Sequence, residues 1–156
     1  MTDWILQGNS KHYDLDAAIA ASRLHSWRTP RYRDRTAAGD RVWLQVAGRH
    51  EPGIYYLATI TAPTYSDPDW RDGDSPSARW RTDVRFDCRI DPPLLRAELL
   101  ATPELASFRP FRGFQGSTVP LPADIAAILR ERAAPRLGAL DPGSPPLDSD
   151  TCEGCC

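Results

Sequence analysis

WRTDVRFDCRI, residues 80–90, is the stretch on which the fold class turns. Trp80, Thr82, Val84, Phe86, Cys88 and Ile90 fall on one side of an extended chain. Arg81, Asp83, Arg85, Asp87 and Arg89 fall on the other, with charges that alternate in sign. Successive side chains of a strand point to opposite faces, so this pattern predicts a strand with one core face and one solvated row of compensating pairs.

Upstream, residues 63–79 are rich in Pro, Asp, Ser and Gly and read as a long loop. Loops of that length are uncommon in compact domains and are often functional. Before it, GIYYLATIT (53–61) and RVWLQVAG (41–48) read as two further strands, Val42, Leu44 and Val46 alternating with Trp43 and Gln45. The short RHEP between them suggests a hairpin, and AAGD (37–40) makes the turn ahead of it. Asp3 to Gln7 reads as a short first strand. YDLDAAIAASRL (13–24) then predicts a helix capped by Asp14, with Leu15, Ala18, Ile19 and Ser22 on one face.

Downstream, Asp91, Pro92 and Pro93 open a helix in LLRAELL (94–100), and TPELASF (102–108) gives another helical turn. RPFRGFQGSTVPLP (109–122) is irregular, with a brief extended piece near Val119. Pro122 opens a last helix that turns Ile125, Ile128 and Leu129 inward. The order β-α-β-β-β-α-α, with short strand-to-strand connections, predicts an α+β fold: a curled, mainly antiparallel sheet, or pseudo-barrel, with flanking helices. A doubly wound parallel sheet does not fit.

The chain has 156 residues, ordinary for one domain, with 41% hydrophobic and 26% charged residues. Residues 1–133 read as the domain. Residues 134–156 are low in large apolar side chains and read as a disordered Pro/Asp/Cys tail. The net charge of −2 is uneven: the tail holds one base (Arg136) and four acids (Asp141, Asp148, Asp150, Glu153), leaving 18 bases against 17 acids. That balance does not announce a nucleic-acid binder, so any such role rests on a local patch. No stretch is apolar enough to span a membrane. The N-terminus lacks the pattern of a secretory signal, which makes the cytoplasm the expected compartment and a membrane partner unexpected.

Catalytic signatures are sparse. His12, His25 and His50 are scattered, and Ser117 in GFQGS lacks the strand–turn–helix frame of a hydrolase nucleophile. No phosphate-binding loop, dinucleotide fingerprint or calcium loop is present, so no catalytic residue, metal or cofactor is expected. The thiols of CEGCC (152–156) lack a fourth ligand and a rigid frame for a tetrahedral metal site. Cys88 lies alone in a strand pattern.

The aromatic residues say more. Trp4, Trp43 and Phe86 sit within strand patterns and read as core. Trp27, Tyr65, Trp70 and Trp80 lie in loops or at loop–strand junctions. SWRTPRYRDR (26–35) combines Trp27 and Tyr32 with Arg28, Arg31, Arg33 and Arg35, and shows no apolar period that would make it a buried helix or strand. Arginine donates fork-like to phosphate and stacks on rings. An exposed aromatic beside it either packs on the sheet end or stacks on a flat ligand, and a base on an aromatic contributes about 1–3 kcal/mol.

WILQGNSKHYDL (4–15), WRTPRYRDRTAAGDRVWLQVAG (27–48), PGIYYLATITAPTYSDP (52–68), RWRTDVRF (79–86) and FRPFRGFQGSTVPLP (108–122) together resemble the EVE family, part of the PUA-like group and related to the YTH readers of N6-methyladenine. The weight lies in five segments in order, covering residues 3 to about 132, and not in any one motif. The resemblance implies a non-catalytic domain with one pocket for a flipped-out, modified base, methylated cytosine or adenine in DNA or RNA. By position it implies Trp27 as one wall and Asn9 as the polar residue at the base edge. Tyr65, Trp70 and Trp80 compete for the second wall, with Gln115 and Ser117 closing the pocket. Lys11, Arg28, Arg31, Arg33 and Arg35 would hold the phosphates. On this reading Trp27→Ala costs binding and little stability.

Many EVE domains are fused to nucleases or ATPases; this sequence of 156 residues has no room for such a domain, so it is expected to work alone or through protein partners that the sequence does not show. Two other readings use the same features: a binder of, or enzyme for, a free nucleoside-like molecule, and a protein-interaction module.

Overall fold

The structure, a computed structural model, describes residues 1–9, 14–47, 51–69, 79–113 and 118–140. Strand β1 (Asp3–Asn9) leads into helix α1 (Leu15–Ala21), then β2 (Leu24–Arg28), β3 (Arg41–Ala47), β4 (Gly53–Ser66) and β5 (Trp80–Leu95). Three short helices follow, α2 (Arg96–Ala101), α3 (Pro103–Ala106) and α4 (Arg109–Arg112). Strand β6 (Thr118–Leu121), helix α5 (Ala123–Ala133), a 3-10 turn (Ala134–Arg136) and β7 (Leu137–Gly138) complete it.

The hydrogen-bonded strand order is β2-β5-β4-β3-β1-β6, with β7 added to β5. β1 and β3 run parallel, and the other pairs are antiparallel. Three strands, β5, β4 and β3, lie between β2 and β1 along the sheet, yet a Cβ placed on Gly8 of β1 would sit 3.4 Å from Cζ2 of Trp27 on β2. The sheet therefore curls until these two strands face one another without pairing. This is the expected α+β, PUA-like architecture.

The helices form where capping and apolar spacing allow. Asp14 accepts the Ala17 amide at 3.1 Å at the start of α1, a cap worth about 1 kcal/mol. Leu15 and Ile19 of that helix are buried, and the Tyr56 hydroxyl donates to Asp16. Inside the curl lie Trp4, Leu6, Trp27, Val42, Leu44, Val84 and Phe86; against the later helices lie Ile5, Trp43, Leu57, Cys88, Ile90, Phe111, Ile125 and Leu129. Trp4 and Trp43, both fully buried, find acceptors: Trp4 Nε1 donates to Asp40 at 2.9 Å, and Trp43 Nε1 to Asp3 at 3.0 Å. Burying either donor without a partner would cost about 1–3 kcal/mol.

Several expectations need correction. The inner face of residues 80–90 is split between the two cores. Ala58 pairs with Phe86 and Leu57 with Cys88, so Asp87 is an extra residue that bulges and turns the strand over. The opposite face is not a simple solvated row: Arg81 and Asp87 are buried, Asp87 accepting from Thr59 at 2.6 Å and Arg85 at 2.9 Å. Ser26, Trp27 and Arg28, read as irregular, lie in β2, because β5 supplies the pairing that local sequence does not suggest.

The loop expected over 63–79 starts later, since β4 runs to Ser66. β5 passes through Pro92 and Pro93 before α2 begins at Arg96. The tail read from residue 134 is built into the fold as far as Leu140, with Leu137 and Gly138 paired to β5 and Leu140 buried. Residues 141–156, including the CEGCC thiols, lie outside the described residues.

Candidate functional site

The seam where β1 approaches β2 holds a cleft of about 230 Å³, lined by Gln7, Gly8, Asn9, Ser26, Trp27, Arg28 and Arg81. β1 delivers its last three residues to one wall. β2 delivers the other, and Arg81 comes from β5, in register with Arg28 across the β2–β5 ladder. The approach at Gly8 is close: a Cβ there would meet Leu15 Cδ2 at a tight 3.2 Å and touch the Trp27 ring at ordinary contact distances of 3.4 and 3.5 Å.

Trp27 is 8% exposed and packs edge-on against Phe86, ring centroids 6.3 Å apart. It belongs to the core as much as to the cleft. That corrects the expectation that Trp27→Ala would leave stability nearly untouched.

Arg81 is held by Ser26, its Nε donating to Oγ at 2.9 Å and Nη2 to the carbonyl oxygen at 2.6 Å. A buried guanidinium fixed at two points loses little further side-chain freedom when a ligand approaches. Among the described residues the lining carries two guanidiniums and no carboxylate. Its field therefore suits an anionic or acceptor-rich ligand, while the Gln7 and Asn9 amides offer both donors and acceptors.

The cleft brings together Asn9, Trp27 and Arg28 of the residues expected at the site. Tyr65 and Trp80 do not line it. The Tyr65 hydroxyl donates to Asp83 at 2.7 Å and lies 3.4 Å from Ser26 Oγ. Burial, reinforced by the Asp83 carboxylate and opposed by the contact with Ser26, holds this phenol above its ordinary pKa. Trp80 is half-buried at the start of β5, and its ring carries Arg33, whose guanidinium carbon stands 4.3 Å from the ring centroid. Arg31, Arg33 and Arg35 are exposed in the turn after β2, Arg35 resting 5.5 Å from the Tyr32 ring. Lys11, Trp70, Gln115 and Ser117 lie outside the described residues.

Sequence reasoning missed Gln7, Gly8, Ser26 and Arg81. Gly8 beside Asn9 at a strand end was the available signal, since a strand glycine often marks close backbone approach. Arg81 was hidden in the alternating charges.

The chain is similar in structure to a hypothetical protein of Leishmania major, with a TM-score of 0.70 at 22% identity over 86% of this chain and 96% of that one. Human THYN1, solved in complex with 5-methylcytosine containing DNA, gives 0.69 at 16% identity over 85% and 98%. A Pseudomonas syringae protein gives 0.66 at 23% over 83% and 99%. No curated protein sequence matches the chain. The family model of the EVE domain matches residues 2–132. With that model spanning most of its length, the chain belongs to the EVE domain family.

Proposed function

We propose that this chain is a non-catalytic reader of a modified base in nucleic acid, taking the base, flipped out of its strand, into the cleft between β1 and β2. The observation that carries the reading is the cleft itself: Asn9, Trp27, Arg28 and Arg81 converge there from three strands, beside the arginine-rich turn. The THYN1 complex with DNA containing 5-methylcytosine supports the ligand class.

In this reading Trp27 forms the apolar floor and the Asn9 amide meets the polar edge of the base. Arg28 and Arg81 supply positive charge where the strand enters. Extruding a base costs a few kcal/mol, which stacking and edge hydrogen bonds offset. A methyl group adds only about 0.8 kcal/mol of burial, so discrimination comes from a tight floor, and the close approach of Trp27 to Gly8 sets that fit.

Fluorescence anisotropy with two labelled oligonucleotides that differ by one methylated base tests the proposal. Tighter binding of the methylated strand is expected, with the preference weakened by Asn9→Ala. Equal affinities, or no binding at low salt, would defeat it. Binding of a free nucleoside as tight as that of the strand would favour the small-molecule reading.

A further inference from the structure

Trp80, displaced from the cleft, has a different role. Its ring carries two guanidiniums, Arg33 at 4.3 Å and Arg79 at 5.5 Å from the centroid. The two cations therefore stand closer together than one Debye length, about 10 Å at 0.1 M salt. Among the described residues neither forms an ion pair, although Asp34 is adjacent in the turn and Asp67 faces Arg79 through the backbone, its amide donating to the Arg79 carbonyl at 2.7 Å. Like charges gathered on one ring, and unmatched by carboxylates among the described residues, leave a place for an anion.

The arrangement is held firmly. The Thr29 amide donates to the Trp80 carbonyl at 2.9 Å, tying the arginine-rich turn to β5. Below it the hydroxyls of Thr29, Thr36, Thr64 and Thr82 meet in one cluster, Thr64 Oγ1 lying 3.1, 2.9 and 3.3 Å from the other three. The Thr64 amide donates to Thr36 Oγ1 at 2.9 Å. Trp80 also immediately precedes Arg81 of the cleft, about 3.8 Å away along the backbone.

We propose that Arg33 and Arg79, positioned by the Trp80 ring, clamp a single phosphodiester of the strand whose base occupies the neighbouring cleft. The clamp rests on the nucleic-acid reading above but is independent of which base is recognised. It assigns Arg79, unmarked in the sequence, to phosphate contact, and makes Trp80 a positioning residue instead of a cage wall.

The test is the salt dependence of binding to a labelled unmodified duplex, run beside its singly methylated counterpart. Two arginines on one phosphate count once in counterion release. The Arg33→Ala/Arg79→Ala double variant should therefore lower the log–log slope by about 0.9, an approximately eightfold weakening at 0.1 M salt. Trp80→Ala should reproduce that loss and Trp80→Phe should retain most of the wild-type slope. Should Trp80→Ala fail to fold, the arginine variants and Trp80→Phe still decide the matter.

An unchanged slope in the double variant would overturn the clamp, as would a fall of about 1.8, the mark of two independent phosphates. The ratio of methylated to plain affinity is read in the same titrations. A ratio of one with the slope loss intact defeats base recognition and leaves the clamp standing. A preserved preference with an unchanged slope does the reverse. Binding of neither duplex by the wild-type chain at low salt would overturn both.

Discussion

Trp27→Ala separates core from cleft most sharply, and its cost follows from the packing. The indole is 8% exposed, lies edge-on to Phe86 and presses against the backbone at Gly8. Truncating a tryptophan so enclosed costs about 3–5 kcal/mol, a large share of the roughly 5–15 kcal/mol that holds a domain together. At about 2–4 °C per kcal/mol the midpoint falls by about 6–20 °C. Urea unfolding followed by far-UV circular dichroism measures the loss without relying on the fluorophore that has been removed. A cost below about 1 kcal/mol would refute the packing, and with it the cleft floor. Because stability falls with the indole, binding by Trp27→Ala confounds two effects. Trp27→Phe keeps a ring in place at a cost of less than about 2 kcal/mol and is the variant to titrate with nucleic acid.

Gly8→Ala should alter stability by no more than about 1 kcal/mol, the gain from replacing a strand glycine offset by a few tenths of an ångström of movement at Leu15. It should weaken binding by narrowing the cleft, and unchanged affinity in a titration would remove Gly8 from the site. Asp3→Ala strands the Trp43 indole N–H and the Arg130 guanidinium, which donates to both Asp3 oxygens at 2.8 Å. The expected loss in chemical denaturation is about 2–3 kcal/mol, and a loss under about 0.5 kcal/mol would contradict the network. Glu98 is bonded by Arg136 at 2.6 and 2.9 Å, and those bonds hold its carboxyl below the ordinary glutamate value. A carboxyl lowered on folding stabilises the fold above its unfolded pKa and loses that contribution as pH falls through the folded one. The gap between wild type and Glu98→Gln, about 1 kcal/mol at pH 7, should therefore close on acidification below about pH 4, and a gap constant with pH would rule out this linkage.

Much of the fold was legible because alternation and capping are local. Asp14, Leu15 and Ile19 marked α1, and the strand patterns placed Trp4, Trp43 and Phe86 in the core. What stayed hidden depends on partners distant in sequence. β2 exists because β5 pairs with it, and the bulge at Asp87 shows only once β4 lies alongside. Leu137 to Leu140 have a composition suited to a tail, yet a free stretch of β5 and an open edge of the core accept them. At the site, the family resemblance brought Asn9 and Trp27 into view, through their places after the first strand and after the first helix. Arg81 escaped notice because charge alternation looks the same whether an arginine faces water or is tied down by a serine on the next strand.

The central claim, that a modified base enters between β1 and β2, is tested most directly by the indole N–H resonances of ¹⁵N-labelled protein titrated with a singly methylated oligonucleotide. Trp43 serves as the internal reference, its donor engaged with Asp3 away from the cleft. The expected result is a saturable shift of Trp27, together with the Asn9 side-chain amide, that is smaller for the unmodified strand, while Trp43 holds still. Saturable binding that leaves Trp27 and Asn9 unmoved would contradict the account and place the ligand elsewhere on the molecule.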